Sequence, residues 1–213
     1  MLDDTHHDTF PHEARPHTTR SRVVDLEALL AGAFHVSSVH RSCESYVFDL
    51  TPSAPVGRFE PREREQRIIS ALLSGWSQKQ MSFELCLAPA TISHEIRQLV
   101  RRVGVTRWEH FVAIACALHA DPVLTDNAEA DCQPVRVSAS VRPQVLAALT
   151  PAEREVVLCV ADGLSNAQIA LCRRTSPRTI ANQIAGVFRK LKVTGRLELV
   201  LRMLADARPP SAD

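Results

Sequence analysis

The chain has 213 residues, 45% of them hydrophobic, and a formal net charge of +1. That length holds one to three small domains, and no apolar run approaches the roughly 20 residues a membrane span needs. The six cysteines form no Cys-x-x-Cys pair, which removes zinc-finger and redox frameworks, so no metal or cofactor is expected.

Residues 1–20 are polar and read as a disordered tail. The acidic, histidine-bearing start (Asp3, Asp4, His6, His7) is unlike a signal peptide, which makes the cytoplasm the expected location. The histidines of the tail lack ligand spacing. His12-Glu13-Ala14-Arg15-Pro16-His17 is one residue too long for a zincin motif, and Pro16 breaks the helix such a motif needs. Residues 21–57 read as a helix plus a β-hairpin. Val24, Leu26, Leu29 and Leu30 give a helix over 22–32 that stops at Gly32. Phe34-His35-Val36, and then Tyr46, Phe48 and Leu50 after a polar turn, alternate as strands. Two strands are marginal alone, so this piece is expected to pack on the helical residues beyond a loop at 51–58.

Residues 64–112 lie on residues 152–200 without a gap, at an offset of about 88 positions and with about a dozen identities. Gly75-Trp76-Ser77 falls on Gly163-Leu164-Ser165, and Pro89-Ala90-Thr91-Ile92 on Pro177-Arg178-Thr179-Ile180. Two copies of one four-helix unit are therefore expected, at 58–119 and 149–207, joined by a linker at 120–148 and followed by a tail at 208–213. In the second copy Thr150-Pro151-Ala152-Glu153 is a capping box with proline at the first helical position. Gly163 ends that helix, Ser165 caps a short second one, and Ser176-Pro177 starts a third. The third helix buries Ile180, Ile184, Val187 and Leu191 at helical spacing. Thr194 opens a fourth. The first copy keeps the rhythm with Ile92, Ile96, Leu99 and Val103, and Thr106-Arg107-Trp108-Glu109 caps its fourth helix. Its start is displaced: Phe59-Glu60-Pro61 resembles Leu149-Thr150-Pro151 two residues out of register, as a longer first helix would be. The linker carries a weak helical piece at 143–149. As a coil it would span roughly 30 Å.

Charge follows the repeats. Counting Lys and Arg against Asp and Glu, residues 1–57 carry about −4, the first copy about +3 and the linker about −2, and the second copy is also basic. A solvated helix face is the commoner reason for such an excess, so charge alone points only weakly to an anionic partner.

A short second helix, a tight turn and a longer amphipathic third helix make a helix-turn-helix. Residues 149–200 resemble the LuxR-type (GerE-like) DNA-binding domain. The features that match are Leu149-Thr150-Pro151, Glu153-Arg154-Glu155-Val156, Gly163-Leu164-Ser165-Asn166, Ile169-Ala170, Ser176, Thr179-Ile180 and Arg189-Lys190-Leu191. The first copy resembles the same family more loosely, through Gly75-Trp76-Ser77, Met81, Leu85, Pro89, Thr91-Ile92, Arg101 and Val105. Both copies depart from the pattern at the turn. Arg173-Arg174-Thr175 stands where the family has Leu-Gly-apolar, and Cys86 and Ala88 replace the turn glycine and the serine cap. The third helices carry Glu95 and Gln183 in place of a frequent histidine. The resemblance implies a mainly α fold of two tandem four-helix helix-turn-helix modules.

It also implies roles. Ala181, Asn182 and Ala185 of the second copy and Ser93, His94 and Arg97 of the first would face base edges. Asparagine can pair bidentately with adenine and arginine with guanine. Arg178, Thr179, Arg189, Lys190, Lys192 and Arg196, with Lys79, Thr91, Arg101, Arg102 and Arg107, would contact phosphates, which positions the module without reading sequence. In the fourth helices, Leu197, Leu201 and Leu204, with Phe111, Ile114 and Leu118, lie where modules of this family pair; the alternative place for them is each module's own core. The implied partners are double-stranded DNA, RNA polymerase, and a second module in a homodimer or an intramolecular pseudo-dimer. The implied function is a bacterial transcription regulator. The alternative is a protein–protein adaptor whose helix-turn-helix units no longer bind DNA specifically. A Gly-rich phosphate loop and a Gly-x-Ser-x-Gly elbow are both missing, so an enzyme is not expected. The 57 residues before the first copy are too few for a receiver domain.

Overall fold

The computed structural model describes residues 22–42, 44–53, 61–120, 122–125 and 134–204. The expected tails at 1–20 and 208–213, Cys43, Cys132 and most of the 51–58 loop lie outside them.

Strand β1 (Arg22–Val24) leads into helix α1 (Leu26–Leu30). The Asp25 side chain caps α1 by accepting from the Ala28 N–H at 2.7 Å. The helix therefore starts at this aspartate, and the residues before it are strand, not the first turn of a helix over 22–32. The hairpin is present as β2 (Phe34–Arg41) and β3 (Ser45–Pro52), antiparallel and with a bulge between Val36 and Ser38. Phe34, Val36, Tyr46, Phe48 and Leu50 point inward. On the other face Ser38 and Arg136 bond the Asp49 carboxylate and hold it below the usual carboxylate range.

Four helices come next: α2 (Glu63–Leu73), α3 (Gln78–Glu84), α4 (Pro89–Val103) and α5 (Trp108–Ala120). Helix α2 begins at the place equivalent to Pro151, so the displaced start does not lengthen it. Glu65 accepts from the Arg62 N–H at 3.0 Å and fixes that start.

The segment between the two helical units is ordered where it is described. Strand β4 (Val123–Thr125) pairs antiparallel with β1, and β5 (Val135–Ser140) pairs antiparallel with β3. The hairpin thus becomes a three-stranded sheet in the order β2-β3-β5. Val137 and Ala139 join its inner face. This replaces the expected coil: alternation of Val135, Val137 and Ala139 with Arg136, Ser138 and Ser140 suits one buried face. The weak helical piece is α6 (Pro143–Ala147).

The last four helices are α7 (Pro151–Ala161), α8 (Asn166–Cys172), α9 (Pro177–Leu191) and α10 (Arg196–Met203). α2, α3 and α4 have 11, 7 and 15 residues, and α7, α8 and α9 have the same lengths. The fourth helices differ. α5 is apolar all round, with Phe111, Val112, Ala113, Ile114, Ala115 and Leu118 buried, and belongs in a core. It packs against β5, α10, α4 and α2. α10 is shorter and rests on α5, α7 and α6. Each fully buried large aliphatic or aromatic side chain contributes about 1.5–3 kcal/mol, so α5 is the centre on which sheet and helices assemble. Among the described residues, no helix is long and apolar enough to cross a membrane, and no cluster of histidine, cysteine and carboxylate groups suits a metal ion.

Candidate nucleic-acid interface

The geometry of α8–turn–α9 arises from local chemistry. The Ser165 hydroxyl accepts from the Gln168 N–H at 3.3 Å, and the Gln168 side chain accepts from the Ser165 N–H at 2.9 Å. This reciprocal cap starts α8. Arg174 turns the chain with φ 52°. The Ser176 hydroxyl accepts from the Thr179 N–H at 3.0 Å and starts α9. Ile180, Ile184, Val187 and Leu191 hold one face of α9 in the core. Arg178, Ala181, Asn182, Ala185 and Arg189 form the opposite, exposed stripe.

The α3–turn–α4 pair is built the same way. Ser77 and Gln80 make the cap, at 3.3 and 2.8 Å. Cys86 takes the turn position with φ 53°. Ala88 contributes no side-chain cap to α4, which costs about 1 kcal/mol relative to serine. Ile92, Ile96, Leu99 and Val103 face inward, and Ala90, His94, Arg97 and Arg101 form the exposed stripe. The two stripes occupy equivalent positions.

The remaining candidates separate into free and engaged groups. Asn182, Ala181 and Ala185 are exposed, as are Arg178, Thr179, Arg189 and Lys192, and the cations among them have no ion pair among the described residues. Lys79 and Arg101 of the first unit are likewise exposed and unpaired among those residues. Arg97 is exposed but donates through Nε to the Ser93 carbonyl at 3.1 Å, and Ser93 and Thr91 are half-buried.

Four basic candidates are engaged within the fold. Lys190 bonds Glu153 at 2.7 Å; that bond, with those from Thr150, holds the Glu153 carboxyl down to about 2. Arg102 bonds Glu65 at 2.9 Å. Arg196 is half-buried and donates to the Leu164 carbonyl at 2.7 Å and to Asn166 at 2.6 Å. Arg107 donates to the Gly163 carbonyl. For Arg102, Arg107 and Arg196 the described bonds give a structural task, because each ties its guanidinium to a carbonyl or carboxylate of another element. Glu95, repulsive if aimed at phosphates, lies 3.6 Å from Arg64 on α2. Arg173, too polar to bury uncharged, pairs with Glu155.

The Arg107 bond crosses from the first helical unit to the second. So does Leu201 of α10, whose Cδ1 lies 3.3 Å from the point where a Cβ on Gly75 would sit. The two units thus meet through their fourth helices and the turns after their first. Glu109, next to Arg107 in this seam, is 4% exposed. Burial pushes its carboxyl up to about 7 against the pull of Arg196 and Arg107. The hairpin joins the seam through Arg41, 2.8 Å from Asp162, and through the Tyr46 hydroxyl, which donates to the same carboxylate at 3.3 Å. Leu204 is buried and bridged to Val141, and Phe111, Ile114 and Leu118 are buried. Leu201 and Leu197 face the first unit, and α5 packs directly on α10, so the fourth helices serve the seam as well as each unit's own core. Arg174 and Cys86, the two residues expected in place of a turn glycine, both take the left-handed conformation.

Residues 147–203 match the family model described as bacterial regulatory proteins, luxR family. The matched range covers α7–α10, a LuxR-family helix-turn-helix domain. Proteins provisionally named HTH-type transcriptional regulators in Mycobacterium bovis and in two strains of Mycobacterium tuberculosis are each 46% identical to this chain over 52 residues. That stretch is 24% of this chain and 6% of each relative, so the chain spans a small fraction of the curated relatives it matches. No solved structure matches the chain.

Proposed function

From this LuxR-family domain we propose that the chain is a DNA-binding transcription regulator, and that α2–α5 and α7–α10 act as two helix-turn-helix modules whose third helices enter the major groove of one duplex. The observation that carries the proposal is the exposed stripe Arg178, Ala181, Asn182, Ala185 and Arg189 on a helix whose other face is locked in the core. Polar side chains that stand clear of the rest of the chain can reach base edges. Asn182 reads adenine, and Ala181 and Ala185 meet thymine methyls. Arg178, Arg189 and Lys192 hold phosphates, with Thr179 beside them. On α4, His94 and Arg97 read bases with Ser93 at the margin, and Lys79 and Arg101 hold phosphates. The seam through Arg107 and Leu201 makes the two units an intramolecular pseudo-dimer. Half-sites one DNA turn apart lie about 34–36 Å from centre to centre. RNA polymerase is the further partner a promoter-bound regulator would meet.

A second reading, a protein–protein adaptor, draws on Phe83 and Leu171, which are 80% and 79% exposed at equivalent positions of α3 and α8. A salt-titrated gel shift on random genomic fragments separates the two. The DNA reading expects retention at low salt that falls steeply as salt rises, and weaker retention with Asn182→Ala. The adaptor reading expects no retained DNA at low salt.

A further inference from the structure

The seam between the two helical units is not symmetric in its filling. On one side Arg107 crosses to the turn after α7, and its guanidinium bonds the Gly163 carbonyl. The cleft there is lined by charged side chains, Arg97, Arg101, Arg107 and Glu109. On the other side the start of α10 faces the turn after α2. The residue equivalent to Arg107 is Gly195, and the one equivalent to Glu109 is Leu197. Gly195 has nothing within 4 Å of the position its Cβ would take. Where the first unit sends Arg107 across, the second has no side chain at the equivalent position. A cavity of about 210 Å³ remains, lined by Trp76, Trp108, Leu72, Met81, Ile96 and Leu197.

We propose that this cavity is a binding site for a small, uncharged, planar apolar molecule of one to two rings. Size sets the upper limit: an apolar cavity of roughly 150 Å³ holds benzene. Shape and chemistry set the class. Two indole rings and four aliphatic or thioether side chains supply most of the wall, and flat aromatic surfaces favour stacked or edge-on rings. Two of the polar groups at the margin are already bonded within the fold. Thr194 gives its N–H and hydroxyl to Glu198 at 2.7 and 2.8 Å. Arg196 is turned to Leu164 and Asn166. Arg196 and Glu198 place one guanidinium and one carboxylate at the margin, so a net charge of either sign meets a like charge there as well as an opposite one, and its desolvation goes largely uncompensated. The site is independent of the DNA reading, since none of its lining residues belongs to the exposed stripes of α4 and α9.

The chain's two tryptophans both line this cavity, so intrinsic fluorescence reports on it, and the Gly195 variants assign the change to it. Toluene, which does not absorb at the red edge of tryptophan excitation, is titrated into the full chain. A saturable fluorescence change is expected. Gly195→Arg, which restores the missing side chain on backbone of extended conformation (φ −164°), is expected to weaken binding at least tenfold, and Gly195→Ala less than threefold. Benzoate and benzylamine are expected to bind at least tenfold more weakly than toluene. The proposal is overturned if toluene gives no saturable change, if Gly195→Arg retains the circular dichroism of the parent and binds equally well, or if either charged probe binds as tightly. Should Gly195→Arg not fold, Leu197→Phe narrows the cavity from α10, and unaltered toluene binding there overturns the site equally.

Discussion

Helices α4 and α9 are equal in length, amphipathic in the same register and ended by the same backbone turn, yet their last turns meet different surroundings. α9 ends at Lys192, exposed, with φ 53°. α4 ends at the equivalent Gly104, with φ 87°, and a Cβ there would lie 2.8 Å from the Val36 carbonyl oxygen of β2. The first unit is roofed by the hairpin and tolerates no side chain at this point. The second is open and accepts a lysine at a modest strain. One helical unit is built into the core beneath the sheet, and the other is open at the equivalent point.

The largest expected effect tests that contrast directly. Gly104→Ala combines left-handed strain of about 1–2 kcal/mol with a backbone clash, and is expected to cost about 3 kcal/mol in urea unfolding. Lys192→Ala is expected to stay within about 0.5 kcal/mol of the parent. Equal costs would show that the hairpin does not close over α4.

Glu109 distinguishes the units again, because Leu197 holds the equivalent place. Its folded carboxyl titrates at about 7, above the ordinary carboxylate value of 4.5. The folded state therefore binds a proton that the unfolded chain releases. The stabilisation is complete below about pH 4.5 and is lost as pH rises through about 7. Glu109→Gln is expected to remove this loss, gaining at most ~3 kcal/mol at pH 8 and little at pH 4. Parallel pH profiles for parent and variant would assign the titration elsewhere.

The reading helices should also differ in function. Asn182→Ala is expected to cost about 2 kcal/mol of DNA affinity. Arg97→Ala is expected to cost about 1 kcal/mol, less than a full bidentate pair, because Arg97 must first release the Ser93 carbonyl. Binding on selected duplexes measures both, and a larger loss for Arg97→Ala would reverse the ranking of the modules. The smallest effect concerns the turns. Cys86 and Arg174 sit in left-handed conformation, and glycine at either place is expected to raise stability by roughly 1 kcal/mol. Thermal unfolding checks the two side by side.

Much of this was legible in the chain. Caps at Ser77, Thr150, Ser165 and Ser176 are local and mark their helices without tertiary context. The apolar stripes of α4 and α9 come from spacing alone. The sheet was half legible: β2 and β3 are joined by a turn, whereas β5 finds its edge of β3 from about 90 residues away, and such pairing has no local signature. The same distance hid the seam. Arg107 and Arg196 look like surface cations until Gly163, Leu164 and Asn166 are brought beside them. Arg174 and Cys86 were marked by the turn glycine they replace, but that each keeps the left-handed conformation with a side chain is seen only in the fold.

The central claim is that one chain offers two reading helices to one duplex. Hydroxyl-radical footprinting of the full chain on a fragment selected from a random duplex pool tests it most directly. Two protected segments about one helical turn apart are expected, with Asn182→Ala weakening one and Arg97→Ala the other. A single protected segment, lost with Asn182→Ala and indifferent to Arg97→Ala, would contradict it.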